Sequence, residues 1–372
     1  MPGKRPSQSK GPRIGPDSRG GWVRPLDREV NAQPVQSKRI SIKAMSEMAS
    51  DRGYRRLLGI ARRALVRELS RWRRRKGFVG AAIMEEVDKS GRVAGRPCIR
   101  IFVEQTTCGS QMSARQQFPD FVDGIKVQVS SATFCSTTGS CDEDTRVVTS
   151  VLDGGDIIRP AHAPEERGTA GLVVWDTKNN QTRYLTAAHV VLGGKPLSAI
   201  TETAVWNKNE EAATRVVGNM DRASVNYSGT VDCALVTPGS EYPIDHPVII
   251  RCFDGYPSGI RNSTQPVVLH EPVQMFSRKL ERVTRGTVGG LHLGVQMETV
   301  FLTEQLIVQP VAGQKLFGVQ GDSGSVVLDA EGRLLGLFIG VMVDETGRPR
   351  EDGACIVSRI SEVRKFLKIT LL

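Results

Sequence analysis

Large apolar side chains are scarce in the first 52 residues and then return in two rhythms. Between 53 and 76, Leu58, Ala61, Leu65, Leu69 and Trp72 recur at steps of three and four, which places them on one stripe of a helix. Arginines cover much of its remaining surface, and Gly77 is placed to end it. Three short apolar runs follow at 78–86, 98–103 and 125–129, punctuated by Gly95, Pro97 and Asp123-Gly124, and these predict strands. From 170 onward Val, Ile, Thr and Gly alternate in short runs, including 171–175, 182–187 and 334–343, the period-two pattern of half-buried strands. Near the end, Ser361 is placed to cap a short helix over 362–368, with Val363, Phe366 and Leu367 on one face. The pattern divides the chain into a tail (1–52), a small α/β module (53–135), a linker (136–165) and a β domain (166–372). The tail mixes Pro, Gly, Ser, Gln, Lys and Arg and cannot bury enough apolar surface to offset its ordering entropy, so disorder is expected there.

Three polar groups interrupt the apolar runs of the β domain. His189 lies in Leu185-Thr186-Ala187-Ala188-His189-Val190-Val191. Asp232 breaks the strand-like Thr230-Val231-Asp232-Cys233-Ala234-Leu235-Val236, where a carboxylate costs several kcal/mol unless it has a partner. Ser323 sits in Gly321-Asp322-Ser323-Gly324-Ser325, a turn followed by apolar Val326-Val327-Leu328. Glycines permit a tight turn that aims successive N–H groups at one point, a geometry able to hold a developing oxyanion. A histidine, a carboxylate and a serine in this order, 43 and 91 residues apart, fit a nucleophile, its base and the base's orienting group.

These three elements resemble those of trypsin-like, chymotrypsin-clan serine peptidases. Gly168-Thr169-Ala170-Gly171, Arg285-Gly286-Thr287-Val288-Gly289-Gly290 and Gly336-Leu337-Phe338 point within that clan to the intracellular bacterial and plant narrow-leaf-type branch. The resemblance covers roughly 166–372 and implies two six-stranded-type β-barrels, with His189 and Asp232 on the first and Ser323 on the second. It implies a serine endopeptidase in which His189, Asp232 and Ser323 form the catalytic triad and the backbone N–H groups of Gly321 and Ser323 the oxyanion hole. By motif offset, Phe317 lies near the floor of the substrate pocket, with Ile339, Gly340 and Val341 along one wall. No acidic residue stands at 317, so a small or apolar P1 side chain is preferred. The secreted relatives' Ile-Val-Gly-Gly start is missing, so Asp322 is expected to pair with a basic side chain or backbone donors, or else to be a solvated turn residue. Homo-oligomers occur in the narrow-leaf branch, which makes self-assembly an option here. The reading from another class is a catalytically silent peptidase fold used as a binding scaffold.

Charge and cysteines refine this picture. The net charge is +10, and residues 1–80 alone carry 21 Lys/Arg against 6 Asp/Glu. The basic N-terminal region is thus a candidate contact for a polyanion, the alternative being a solvated helix face. Seven cysteines, an odd number without dense pairing, argue against a secreted disulfide framework, and no apolar core follows the first basic residues as in a secretory signal. Both point to a cytoplasmic protein without a membrane span. The cysteines show no metal-like C-x₂-C pair, and no metal or cofactor is called for. The remaining histidines, 162, 246, 270 and 292, have no catalytic neighbours and read as structural.

Overall fold

The computed structural model describes residues 52–104, 118–136, 154–163, 166–196, 198, 202–207, 215–221, 225–239, 256–297, 300–344, 348–350 and 352–372. Residues 1–51 of the expected tail, Cys108, Cys141, Cys252 and His246 lie outside these residues, while Arg52 opens the first helix. The protein is mainly β.

Helix α1 spans Arg52–Trp72 and buries Tyr54, Ala61, Ala64, Leu65 and Trp72. The spacing-predicted stripe is therefore its buried face, each large apolar side chain contributing roughly 1.5–3 kcal/mol. The strands after it are β1 (Phe78–Val87), β2 (Val93–Val103), β3 (Phe121–Val122), β4 (Ile125–Ser131) and β5 (Thr133–Ser136). β1 pairs antiparallel with β2, and β2 runs parallel to β4.

The first barrel uses β6 (Ile157–Pro160), β7 (Gly168–Thr169), β8 (Leu172–Asp176), β9 (Gln181–Thr186), helix α2 (Ala188–Leu192), β10 (Glu202–Asn207), β11 (Arg215–Asp221), β12 (Val225–Ser228) and β13 (Val231–Pro238). Its order is β8-β9-β13-β11-β10-β6-β7. β7 and β8 are successive pieces of one passage of chain, so pairing β6 with β7 and β8 with β9 closes the ring. β6 lies within the stretch that reads as a linker; its short Ile-Ile-Arg-Pro run gives little periodicity to detect.

The second barrel follows β14 (Gly259–Ile260). It uses β15 (Pro272–Ser277), β16 (Arg282–Met297), β17 (Val300–Pro310), β18 (Val326–Asp329), β19 (Arg333–Val343) and β20 (Cys355–Arg359). The ring β15-β18-β19-β20-β17-β16 closes through β15–β16. β16 is longer than the barrel needs. Its first half pairs with β15, and its second half offers an edge that β1 takes, Gly80 opposite Val295 and Met84 opposite Gly290. The N-terminal strands thus extend the second barrel's sheet.

Helix α3 (Ile360–Leu367) and β21 (Ile369–Thr370) end the chain. α3 starts two residues earlier than the pattern suggests. β20 runs directly into it, Arg359 holds the N-cap position without a side-chain cap, and Ser361 lies inside the first turn.

Candidate active site

β9 carries the chain to Thr186, and α2 begins two residues later, so His189 sits in the first turn of a one-turn helix that is wholly buried. β13 pairs with β9, Ala234 opposite Thr186, which brings Asp232 beside that turn. The Asp232 carboxylate then binds the helix start three ways. Oδ1 accepts the N–H groups of Ala188 at 2.6 Å and His189 at 3.1 Å, and Oδ2 lies 2.5 Å from His189 Nδ1. Negative charge at a helix start also suits the unsatisfied N–H groups there. Asp232 is held from the other barrel too: its N–H donates to Ser358 Oγ at 3.4 Å, Ser358 donates to Gln305 Oε1 at 2.6 Å, and Gln305 Nε2 donates to Thr230 O at 2.8 Å. The Tyr227 ring lies 6.1 Å from the imidazole. Burial, then the Asp232 charge, pushes the neighbouring Cys233 thiol well up, which keeps it protonated.

The Ser323 turn is carried by the second barrel and docked on the first. Gly321 and Gly324 take φ of 98° and 95°, a region closed to most side chains. Thr169 N–H donates to Ser323 O at 2.7 Å, and Thr169 Oγ1 donates to Gly321 O at 2.9 Å. On its own barrel, Gly324 N–H donates to Phe338 O and Phe338 N–H to Ser325 O, both at 2.9 Å. Gly168 is the contact between the two halves of the site. A Cβ there would collide with both methyls of Val190, the residue after His189, and would stand 2.8 Å from Ser323 O. Gly168→Ala is expected to cost roughly 1–3 kcal/mol by overpacking and to lower activity by displacing the serine turn; a thermal melt and a hydrolysis assay on the purified variant check both.

Asp322 has no basic partner among its described contacts. Its carboxylate is fully buried and receives Ser277 Oγ–H at 2.6 Å, Val319 N–H at 3.0 Å and Lys279 N–H at 3.4 Å. Burial pushes its pKa up to about 6; the Ser277 hydroxyl and the Val319, Lys279 and Arg278 N–H groups pull against that rise. The turn after β15 therefore does for this carboxylate what a cation could do elsewhere. Ser277, Ser358 and Gln305 carry no sequence signal: each is an ordinary polar residue whose partner is 45 to 126 residues away.

Phe317 is fully buried in the core, with its carbonyl receiving Thr284 Oγ1–H at 2.5 Å. Ile339 and Val341 are both buried, in separate core clusters, and the ladder of β19 with β20 is irregular between Phe338 and Gly340. The described histidines outside the site have partners: His162 with Leu192 O at 2.8 Å, His270 with Glu85 at 2.9 Å and His292 with Glu304 at 2.6 Å. The first of these ties β6's end to the helix of His189. Among the described residues no group of three or more His, Cys, Asp or Glu stands together as a metal site, and no helix is long and apolar enough to cross a membrane.

Solved structures similar to this chain are trypsin-like serine proteases. One is a glutamic acid-specific serine protease described as using a histidine triad in substrate binding, at 18% identity and TM-score 0.42, covering 59% of this chain and 100% of its own. Another is a Nocardiopsis protease, at 16% identity and TM-score 0.41, covering 59% and 98%. Thermobifida fusca protease A is a third, at 18% and 0.41, covering 60% and 98%. No family model matches the chain, and no curated protein matches it. The fold is mainly β, two closed rings of strands preceded by the small α/β region.

Proposed function

We propose that this chain is a serine endopeptidase that cleaves peptide bonds through an acyl-enzyme. The observation that carries the reading is the 2.5 Å contact between His189 Nδ1 and Asp232 Oδ2, on a helix start abutting the docked turn of Ser323. Asp232 holds the imidazole with Nδ1 protonated, which leaves Nε2 as the base. Nε2 takes the Ser323 hydroxyl proton as Oγ attacks the scissile carbonyl, and returns it to the leaving amine. The N–H groups of Gly321 and Ser323 hold the oxyanion; losing one such donor typically costs about 3 kcal/mol. Phe317, Ile339, Gly340 and Val341 are the proposed pocket residues, and their apolar character suits a small or apolar P1 side chain. The narrow-leaf-type branch and a cytoplasmic setting remain part of this proposal, on the motifs and the cysteine pattern of the chain.

A fluorophosphonate probe tests the reading against a silent scaffold. The folded protein is expected to be labelled at Ser323, with labelling lost in Ser323→Ala. Folded protein that stays unlabelled on long incubation would sink the peptidase reading.

A further inference from the structure

The second barrel closes without β5, yet β5 pairs with its strand β19 beside the proposed nucleophile. A strand has two edges. At Gly340 and Val341, β20 takes one, with Ile356 and Cys355 opposite. β5 therefore holds the other, the edge that β18 occupies earlier, at Leu334 to Leu337. Between these two partners, on that same edge, Phe338 exchanges its backbone bonds with Gly324 and Ser325. The Ser323 turn and β5 are thus consecutive neighbours along one line of β19.

Direction matters as much as place. β5 is antiparallel to β19, running from Thr133 opposite Val343 to Ser136 opposite Gly340. Its C-terminal end points toward Phe338 and the serine turn. An extended peptide adding to this edge would take the same path, because main-chain augmentation of a free sheet edge is a general way to hold a peptide. Ser323 has no solvent exposure and His189 only 4%. A nucleophile so covered meets no substrate until something moves.

We infer that β5 is a built-in occupant of the peptide-binding edge of β19, and that residues 340–343 take up a substrate strand only when β5 leaves. This rests on the peptidase reading for the meaning of the site, while the edge itself is tested without chemistry. Two anchors hold β5. Phe134 is buried edge-on against Phe102, with ring centres 5.3 Å apart. Arg350 Nη1 donates to Ser131 O at 2.7 Å, clamping the chain just before the strand.

The test uses the full chain carrying Ser323→Ala and a fluorescent peptide with the sequence of residues 130–136 bearing Cys135→Ser. Two releasing variants are compared with this parent. Cys135→Pro removes an N–H from β5 and blocks its pairing, and Arg350→Ala removes the clamp; each is checked for a cooperative melt. By fluorescence anisotropy, at least one folded releasing variant is expected to bind the peptide at least tenfold more tightly than the parent. Equal affinity for parent and folded releasing variants, or no binding by any of them, overturns the inference. Tight binding by a releasing variant whose Ser323 counterpart takes no fluorophosphonate would keep the strand inference and sink the peptidase reading alone.

Discussion

Asp232→Asn will lower kcat by roughly 10⁴-fold while the fold survives. The reason lies in how the two carboxylate oxygens divide their work. Oδ1 receives the Ala188 and His189 N–H groups, and Oδ2 faces His189 Nδ1. An asparagine keeps an oxygen for the helix start, so α2 retains its cap. Its amide nitrogen then faces Nδ1 and donates to it. The imidazole must carry its proton on Nε2, the wrong place for a base that accepts the serine proton. Kinetics with a peptide ester at neutral pH, alongside a thermal melt, separate the two effects. A loss below tenfold with an unchanged melt would show that Asp232 only holds the helix.

Ser277→Ala should have the second largest effect, and it has a pH signature. The Asp322 pKa stands at about 6 chiefly because burial disfavours the charged form, and the Ser277 hydroxyl is the largest pull in the other direction. Removing that donor raises the pKa further. The folded value lies above the unfolded value of about 3.8. Burying the charge therefore costs stability in full above the folded pKa, and the cost is relieved as pH falls through about 6 toward 4. Taking the hydroxyl away is expected to cost about 1–3 kcal/mol at pH 7 and less at pH 5. Because Asp322 adjoins the turn bearing Ser323, kcat at pH 7 should fall about tenfold, and the acid limb of the rate profile should move to higher pH. Melts and pH–rate profiles of both proteins measure these shifts. A variant equally destabilised at both pH values, with an unmoved acid limb, would mean that Ser277 acts by packing alone.

The two effects differ in how far they could be foreseen. Asp232 is visible in the sequence because a carboxylate in Val-Asp-Cys-Ala-Leu violates the strand's apolar pattern and demands a partner. Ser277 is not, since a serine at the end of a strand violates nothing. For Asp322 the chain alone left a cation, backbone donors or solvent as candidates, and only the turn over 277–280 decided among them. The helix stripe of α1 and the strand at 333–343 were legible because periodicity survives in one dimension. Four-residue elements such as β5 and β6 were not, because four residues hold too little of any period to stand out.

The module boundary shows the same limit. Residues 53–135 read as a separate small unit because their pattern changes at each end. In three dimensions β1 continues the sheet of β16, and β5 lies against β19. The sequence by itself determined the stripe of α1, long strands such as β19, and which three polar side chains break that pattern, since these depend on neighbours a few positions apart. The tertiary structure alone decided that the helix start of His189 is capped by Asp232, that Asp322 is satisfied by a turn, and that a strand of the chain's own covers the edge beside Ser323. Strand pairing joins segments hundreds of residues apart through backbone groups that every residue shares, so the side chains of one strand do not name its partner.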